Sequence, residues 1–216
     1  MRTSRAYVLA TIAIAFVLGA CATKPVARQE KTAQSLTQMT SDMAAVRAQI
    51  DSTLVSLRTL MVAAPNDLRA AYDRFARDVD TIRRETERTQ ARSTQLQERS
   101  AAWLSEWNKS HANIQDPELR RVSEWRRATL TSRFETASAS IGAAREALLP
   151  FVKSLEDIKI AVGTDLTTRG VAAVSGTEVV RNADVNGQTA ARAIEKATTD
   201  LQELDSALSV AEEPPR

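Results

Sequence analysis

The sequence is poor in the residues that build sheets and reactive sites. Its 216 residues include 6 glycines, 6 prolines, one cysteine and one histidine, and only 4% of them are aromatic. Glycine and proline occur at about half their average frequency, and sheet proteins need turns together with β-branched or aromatic strands. These counts argue against sandwiches, barrels and doubly wound sheets. One histidine and one cysteine also leave little for metal or nucleophile chemistry.

The N-terminal segment has the features of a bacterial lipoprotein signal peptide. Arg2 and Arg5 precede an uncharged, mostly apolar run over residues 6–17, which is too short to span a bilayer. The run ends in a lipobox-like sequence, Leu18-Gly19-Ala20-Cys21. Small residues before the cysteine fit the signal peptidase, and the thiol receives the lipid. We predict a signal peptide over residues 1–20 and acylation of Cys21; the alternative is an ordinary signal or anchor helix with an incidental cysteine.

Acylation would account for the single cysteine, because one cysteine in an exported chain cannot form an internal disulfide. Loss of Arg2 and Arg5 leaves 27 basic and 27 acidic residues, so we expect no nucleic-acid partner. Acyl chains anchor a protein firmly, since each buried CH₂ contributes about 0.8 kcal/mol. An aspartate after the cysteine often retains lipoproteins at the inner membrane. The residue here is Ala22, which favours the periplasmic face of the outer membrane if the host is Gram-negative.

From residue 36 onward, apolar residues recur at alternating intervals of three and four, the pattern of a helix with one buried seam. In the first predicted helix the seam comprises Leu36, Met39, Met43, Val46, Ile50, Thr53, Leu57 and Leu60. Pro65 ends this helix, and Asn66 is predicted to cap the next. The second helix continues the pattern over residues 68–107.

Two more helices follow. Asp116 and Pro117 form the start signal of the third, with aspartate as the N-cap and proline in the first turn. Its seam stays in phase past Pro150, so we predict a kink there rather than an end. The third helix stops at residues 163–165. Thr167 or Thr168 then caps a fourth helix over about residues 170–210.

The predicted fold is all-α, an elongated antiparallel up-down bundle of four long, coiled-coil-like helices, with three helices as the alternative. The second and third helices are each about 70 Å long at 1.5 Å per residue. Short connections between them force neighbours to run antiparallel. We assign residues 21–30 to a lipidated tether, 31–211 to a single bundle domain and 212–216 to a disordered tail.

Folding the chain about its turns places three tryptophans and two arginines at the end of the bundle nearer Cys21. They are Trp103, Trp107, Trp125, Arg120 and Arg121. Tryptophan and basic residues together suit a lipid headgroup boundary, so this group is a candidate membrane or partner contact. The alternative is a tryptophan cluster in the core with solvated arginines.

The same folding predicts a waist of small and polar residues midway along the bundle. Thr86 and Thr89 would lie level with residues 139–142 and with residues 186–189. Such a waist could open to bind a lipid or another apolar ligand. The alternative is close helix packing through small residues.

Residues 68–174 resemble an uncharacterised family of proteobacterial lipoproteins, catalogued as domain of unknown function 2959. The shared features are the lipobox, Tyr72, Phe75, the segment 103–107, Leu119-Arg120 with Ser123, Pro150-Phe151 with Leu155 and Asp157-Ile158, and Asp165-Leu166-Thr167 with Gly170. The resemblance implies a helical, coiled-coil-rich lipoprotein of the cell envelope. It implies no activity.

The chain lacks the motifs of the common enzyme classes. A di-iron bundle needs Glu-x-x-His pairs on facing helices, and the only histidine is His111, beside a predicted turn and expected to be solvated. No Gly-x-Ser-x-Gly elbow or phosphate-binding glycine loop is present. We therefore expect no enzymatic activity, no cofactor and no metal.

The leading hypothesis is a non-enzymatic, membrane-anchored periplasmic lipoprotein of structural or protein-interaction type. Its acyl chains would hold one end, and the bundle would present a surface to an unidentified envelope protein or to the cell wall. The alternative is a bundle that binds lipid or another apolar ligand through the waist. A helical regulator or inhibitor of an envelope enzyme cannot be separated from the first hypothesis by sequence.

Overall fold

The computed structural model describes residues 23–209, and their side chains from Ala27 onward. Within these residues every regular element is a helix: α1 (Thr23–Met61), α2 (Leu68–His111), α3 (Pro117–Thr164), α4 (Thr168–Ser175) and α5 (Glu178–Ser209). The all-α prediction is therefore confirmed. None of these helices combines the length and apolar character that crossing a membrane requires. The predicted signal peptide, Cys21 and the predicted tail lie outside the described residues.

The four long helices form a bundle in which each packs against two neighbours. α1 packs along α2 and α5, and α3 packs along the same two helices, while the short α4 lies against α1 and α3. The side chain of Gln97 on α2 bonds Ser138 early in α3, whereas Asp80 bonds Lys159 late in α3, so these helices are antiparallel. α1 and α5 are also antiparallel, because Arg47 pairs with Glu195 and Arg58 with Asp184.

The core follows the predicted seams. All eight seam residues of α1 are buried, including Thr53, whose hydroxyl donates to the carbonyl of Gln49 at 2.7 Å. The largest fully buried side chains on α2 and α3 include Phe75, Phe151 and Ile158. Burial of apolar surface stabilises the bundle by about 25 cal/mol per Å², and it is the main favourable contribution that holds these helices together.

The starts of α3 and α4 and the continuity of α3 past Pro150 are as predicted. The Asp116 carboxylate accepts a bond from the backbone N–H of Leu119 at 2.8 Å, and the Thr167 hydroxyl accepts from Gly170 at 3.0 Å. These bonds satisfy N–H groups that a helix start leaves without partners. α3 continues through Pro150 to its end at Thr164, so Pro150 is not a helix end.

The predicted cap of α2 is wrong. Asn66 lies inside the turn between α1 and α2, and Asp67 precedes the helix without a side-chain cap bond. The turn closes through the backbone, because the N–H of Asp67 bonds the carbonyl of Ala64 at 2.9 Å. The tight turn therefore moves the helix start one residue beyond the sequence signal.

Two predicted boundaries also differ. α1 begins at Thr23, so most of the predicted tether (residues 21–30) is helical. Pro25 is compatible with this start, because the N–H groups of the first turn have no intrahelical partner. The predicted fourth helix is split into α4 and α5, because Gly176, a poor helix former, ends α4. The Thr177 hydroxyl bonds back to the carbonyl of Val174 at 2.7 Å and completes the break.

Candidate functional site

Side chains from four helices meet at the end of the bundle where α1 starts, which we call the α1-start end. They line a cleft of about 350 Å³ that comprises Gln29, Trp103, Trp107, Ser110, Arg126, Leu130 and Leu208. The turn between α2 and α3 and the end of α5 lie at this same end. Trp103 and Trp107 therefore lie beside the start of α1, whereas Cys21, to which the prediction referred, is outside the described residues.

Trp103 is a core residue rather than a surface contact. Its side chain is 6% exposed, and its ring lies 5.3 Å from that of Trp107 and 6.0 Å from that of Phe134, between centroids. The tilted and edge-on geometries are those that aromatic pairs prefer. The burial of this ring in the packed bundle argues against the predicted contact role of Trp103.

Trp125 does not join the pair, contrary to the predicted three-tryptophan cluster. It is half-buried and makes no ring contact with the other aromatic residues of the described chain. The helical phase explains this, since Trp125 precedes the buried Leu130 by five residues and so points about 140° away from the seam. Phe134, one turn beyond Leu130, packs against Trp103 in the position that was predicted for Trp125.

A polar cluster lies behind the tryptophan pair. Trp107 donates its indole N–H to the Ser123 hydroxyl at 3.1 Å, and that hydroxyl lies 3.2 Å from Nδ1 of His111. His111 is therefore half-buried and bonded, not solvated as predicted. Ser123 and His111 resemble a nucleophile and base, but within the described residues no carboxylate bonds His111 to orient it, as a catalytic triad requires.

The two predicted arginines differ in their surroundings. The guanidinium of Arg120 donates twice to the carbonyl of Ile114, at 3.0 and 2.6 Å, and so closes the turn between α2 and α3. Arg121 is exposed and has no ion pair within the described residues. Arg121 and Trp125 thus remain predicted membrane or partner contacts.

The predicted waist is not a single layer. Thr86 and Thr89 lie near Ile141, as expected, but the space between them is only about 10 Å³, enough for no more than one water. The α5 segment lies at another level, because a Cβ on Gly187 would be 2.9 Å from Phe151 and 3.0 Å from Leu54. Counting residues back from the turns misplaces α5, since the break at Gly176 shifts its register.

A buried acid joins α1 to α2. The side chain of Asp42 is 4% exposed, and its carboxylate lies 2.8 Å from Nε of Arg92 and 3.5 Å from Nη2 of Arg88. Gln38, one turn earlier, donates to the same carboxylate at 3.3 Å. Asp42 thus holds the two helices at the level where the seam of α2 becomes polar.

Replacing Asp42 with alanine should lower the free energy of unfolding by about 1–3 kcal/mol, because a buried charge partner is lost. The loss of unfolding free energy stays moderate, since the side chains of Arg88 and Arg92 are partly exposed and can be solvated by water in the variant. Urea denaturation of the variant measures it. The control is Asp51→Ala, which removes a 61% exposed partner of Arg47 and should cost at most about 1 kcal/mol. Equal losses in both variants would contradict the role of Asp42.

Three surface ion pairs shift the pKa of Asp80 or of Arg47. The hydrogen bond from Lys159 to Asp80, at 2.7 Å, holds the pKa of Asp80 below its usual value and outweighs the opposing effect of burial. The hydrogen bond to Asp51, followed by that to Glu195, raises the pKa of Arg47 above its usual value. The Lys159–Asp80 and Arg47–Glu195 pairs bridge helices, whereas the Arg47–Asp51 pair lies within α1.

A second, more apolar space lies between α2 and α3, and we call it the α2–α3 crevice. Its volume is about 450 Å³. It is lined by Ser93, Leu96, Gln97, Ser100, Ala101 and Leu104 of α2, by Thr131, Phe134, Glu135, Ala137, Ser138, Ala139 and Ile141 of α3, and by Leu204 of α5. At its mouth Gln97 donates to the Ser138 hydroxyl at 2.8 Å, which links the two helices across the opening.

Comparison with known protein families gives a match over most of the chain. A family model described as "Protein of unknown function (DUF2959)" matches residues 25–204. The matched region covers the bundle almost completely. No curated protein and no solved structure matches the chain.

Proposed function

Because the chain belongs to the DUF2959 family, whose description assigns no activity, we propose its function from its own residues. The proposal is a non-enzymatic, membrane-anchored lipoprotein of the bacterial cell envelope, in which the bundle serves as a structural or protein-interaction element. The lipobox of residues 18–21 supports the anchor. The long seams, which carry hydrocarbon side chains and few groups suited to reaction chemistry, support the structural role.

One observation carries the proposal: α1 begins at Thr23, two residues after Cys21. An acyl group on Cys21 would therefore hold the start of α1, and with it the α1-start end, close to the lipid surface. α1 has 39 residues and is about 58 Å long, so the turn between α1 and α2 would lie about 60 Å from the membrane. A rod of this reach would present its sides and far end to an envelope protein or to the cell wall.

The residue after Cys21 supports a location at the outer membrane. Ala22 in place of an aspartate favours the periplasmic face of the outer membrane in a Gram-negative host. Trp125 and Arg121, near the α1-start end, would then face the headgroups, as their chemistry suits.

The test is a Cys21→Ser variant of the full chain, expressed in cells that are fed an alkyne-tagged palmitate. We expect the wild-type chain to carry the tag and to fractionate with membranes, and the variant to carry no tag and to keep its 20-residue leader. Ala22→Ser is the matched control, since it changes the neighbouring residue and retains the thiol. Equal tagging of the Cys21→Ser chain and the control would refute the anchor.

The alternative, an apolar-ligand site in the waist, has little support at that position. The space at Thr86 and Thr89 is too small for a ligand, whereas the α2–α3 crevice is about 450 Å³. An apolar-ligand function is therefore better placed in the crevice.

A further inference from the structure

We propose that the α2–α3 crevice binds a single hydrocarbon chain, with any polar head left outside in water. The crevice adjoins the predicted waist at Ala139 and Ile141 but extends from there toward the α1-start end, away from Thr86 and Thr89. The inference goes beyond the proposed anchor, since it stands whether or not Cys21 is acylated. Its basis is the chemistry, charge and shape of the crevice.

Four of the six polar side chains of the lining, all except Ser93 and Glu135, are already hydrogen-bonded within the described residues. The Ser100 hydroxyl donates to the carbonyl of Leu96 at 2.8 Å, and the Thr131 hydroxyl donates to that of Arg127 at 2.9 Å. Ser138 accepts from Gln97. With these groups bonded within the protein, the crevice offers a ligand mainly the methyl and methylene surfaces of Leu96, Leu104, Phe134, Ile141 and Leu204. A polar ligand would lose most of its bonds to water without replacement.

The charge of the lining also favours an apolar ligand. Glu135 is its only ionisable side chain, and it is exposed at the rim. No lysine or arginine lines the crevice, so a carboxylate or phosphate head has no cation to bind inside it. The ligand that fits is therefore the apolar tail of an amphiphile whose head stays in the solvent.

The dimensions fit a chain better than a ring system. On α2 the lining runs from Ser93 to Leu104, a length of about 16 Å at 1.5 Å per residue. A volume of about 450 Å³ over that length gives a mean cross-section of about 28 Å², or roughly 5–6 Å across. With carbon–carbon bonds of about 1.5 Å, an extended chain of about a dozen carbons spans the crevice. By comparison, an apolar cavity of about 150 Å³ holds one benzene ring.

Access to the crevice needs little rearrangement. The bond between Gln97 and Ser138 joins two side chains near the surface, so water can replace both partners when the bond opens. A chain can then enter sideways between α2 and α3, because the crevice is only partly enclosed. Leu204 of α5 forms part of its floor.

The experiment uses the full chain in cells that are fed a fatty acid with a diazirine in its tail and a terminal alkyne. After irradiation the chain is purified and its tryptic peptides are analysed by mass spectrometry. Residues 93–99, 100–109 and 134–145 are separate tryptic peptides that carry most of the lining. We expect lipid adducts to concentrate on these three peptides.

A blocked variant tests the site directly. Ala101→Trp with Ala139→Trp places two indoles at exposed positions in the crevice and should reduce the adducts on these peptides at least tenfold. Ala91→Trp with Ala143→Trp is the matched control, since both alanines are exposed on the same helices outside the lining. Thermal unfolding by circular dichroism confirms that both variants are folded. Equal adduct yields in the blocked and control variants, or no adducts on these peptides, would overturn the proposal.

The mass of the adduct distinguishes the two possible sources of the hydrocarbon chain. An adduct with the mass of a whole phospholipid identifies a separate lipid, whereas a link between a crevice peptide and the peptide that contains Cys21 identifies the chain's own acyl group. Both outcomes support the site. Failure of the proposed anchor appears separately, as the absence of label on Cys21 itself.

Discussion

Replacing Trp103 with alanine is expected to lower the free energy of unfolding by about 3–5 kcal/mol. The side chain is 6% exposed and contacts two aromatic neighbours, Trp107 and Phe134, so its loss leaves a cavity in the core. Each aromatic contact adds about 0.5–1.5 kcal/mol beyond the buried area. Urea denaturation followed by circular dichroism measures the loss.

The control for this variant is Trp125→Ala. Trp125 is half-buried and makes no ring contact, so its replacement should cost about 1 kcal/mol, near the centre of measured single-mutant effects. If the two variants lose equal stability, Trp103 is not the core residue described above. Trp103→Phe should restore part of the loss, because a smaller ring still fills part of the space.

Phe151→Ala should also cost about 3–5 kcal/mol, and a change at Gly187 should modify that cost. Phe151 is fully buried. Its ring lies where the absence of a side chain on Gly187 lets α5 approach α3, because a Cβ there would be 2.9 Å from the ring. Gly187→Leu alone overpacks this site and should cost about 1–3 kcal/mol.

The two changes together should be less harmful than their sum. In the Phe151→Ala background the leucine at position 187 enters the vacated space, so the cavity and the overpacking cancel in part. A double-mutant cycle by urea denaturation should therefore give a favourable coupling of about 0.5–3 kcal/mol. Gly142→Leu, where a Cβ meets nothing within 4 Å, is the control and should show no coupling with Phe151→Ala. Additive losses at positions 151 and 187 would contradict the packing.

Most of the fold was predictable because the seams are long. Eight consecutive seam residues in α1 keep the three-and-four spacing, and a helix of that length leaves no competing assignment. Start signals with a definite mechanism, such as Asp116 followed by Pro117, also located a helix correctly. Pro25 misled the prediction, since proline in a first turn and proline in a linker look alike in sequence.

The candidate site was less predictable because it depends on register between helices. The position of Trp103 along the bundle was correct, but its partner, Phe134, depends on the rotation of α3 about its own axis. The α2–α3 crevice arises where Ser93 and Ser100 face Ala137 and leave space. Small seam residues on α2 were visible in the sequence, but the residues opposite them were not fixed by spacing alone.

The pairing of the helices has a consequence for how the chain folds. α1 packs most extensively on α2, and α3 on α5, so each half of the chain is a helical hairpin with mainly local contacts. Local contacts allow fast folding, and N-terminal units generally fold first during synthesis. The first hairpin can thus close while the second half is still being made. The α2–α3 crevice lies in one of the two seams between these hairpins, and the other seam joins α1 to α5.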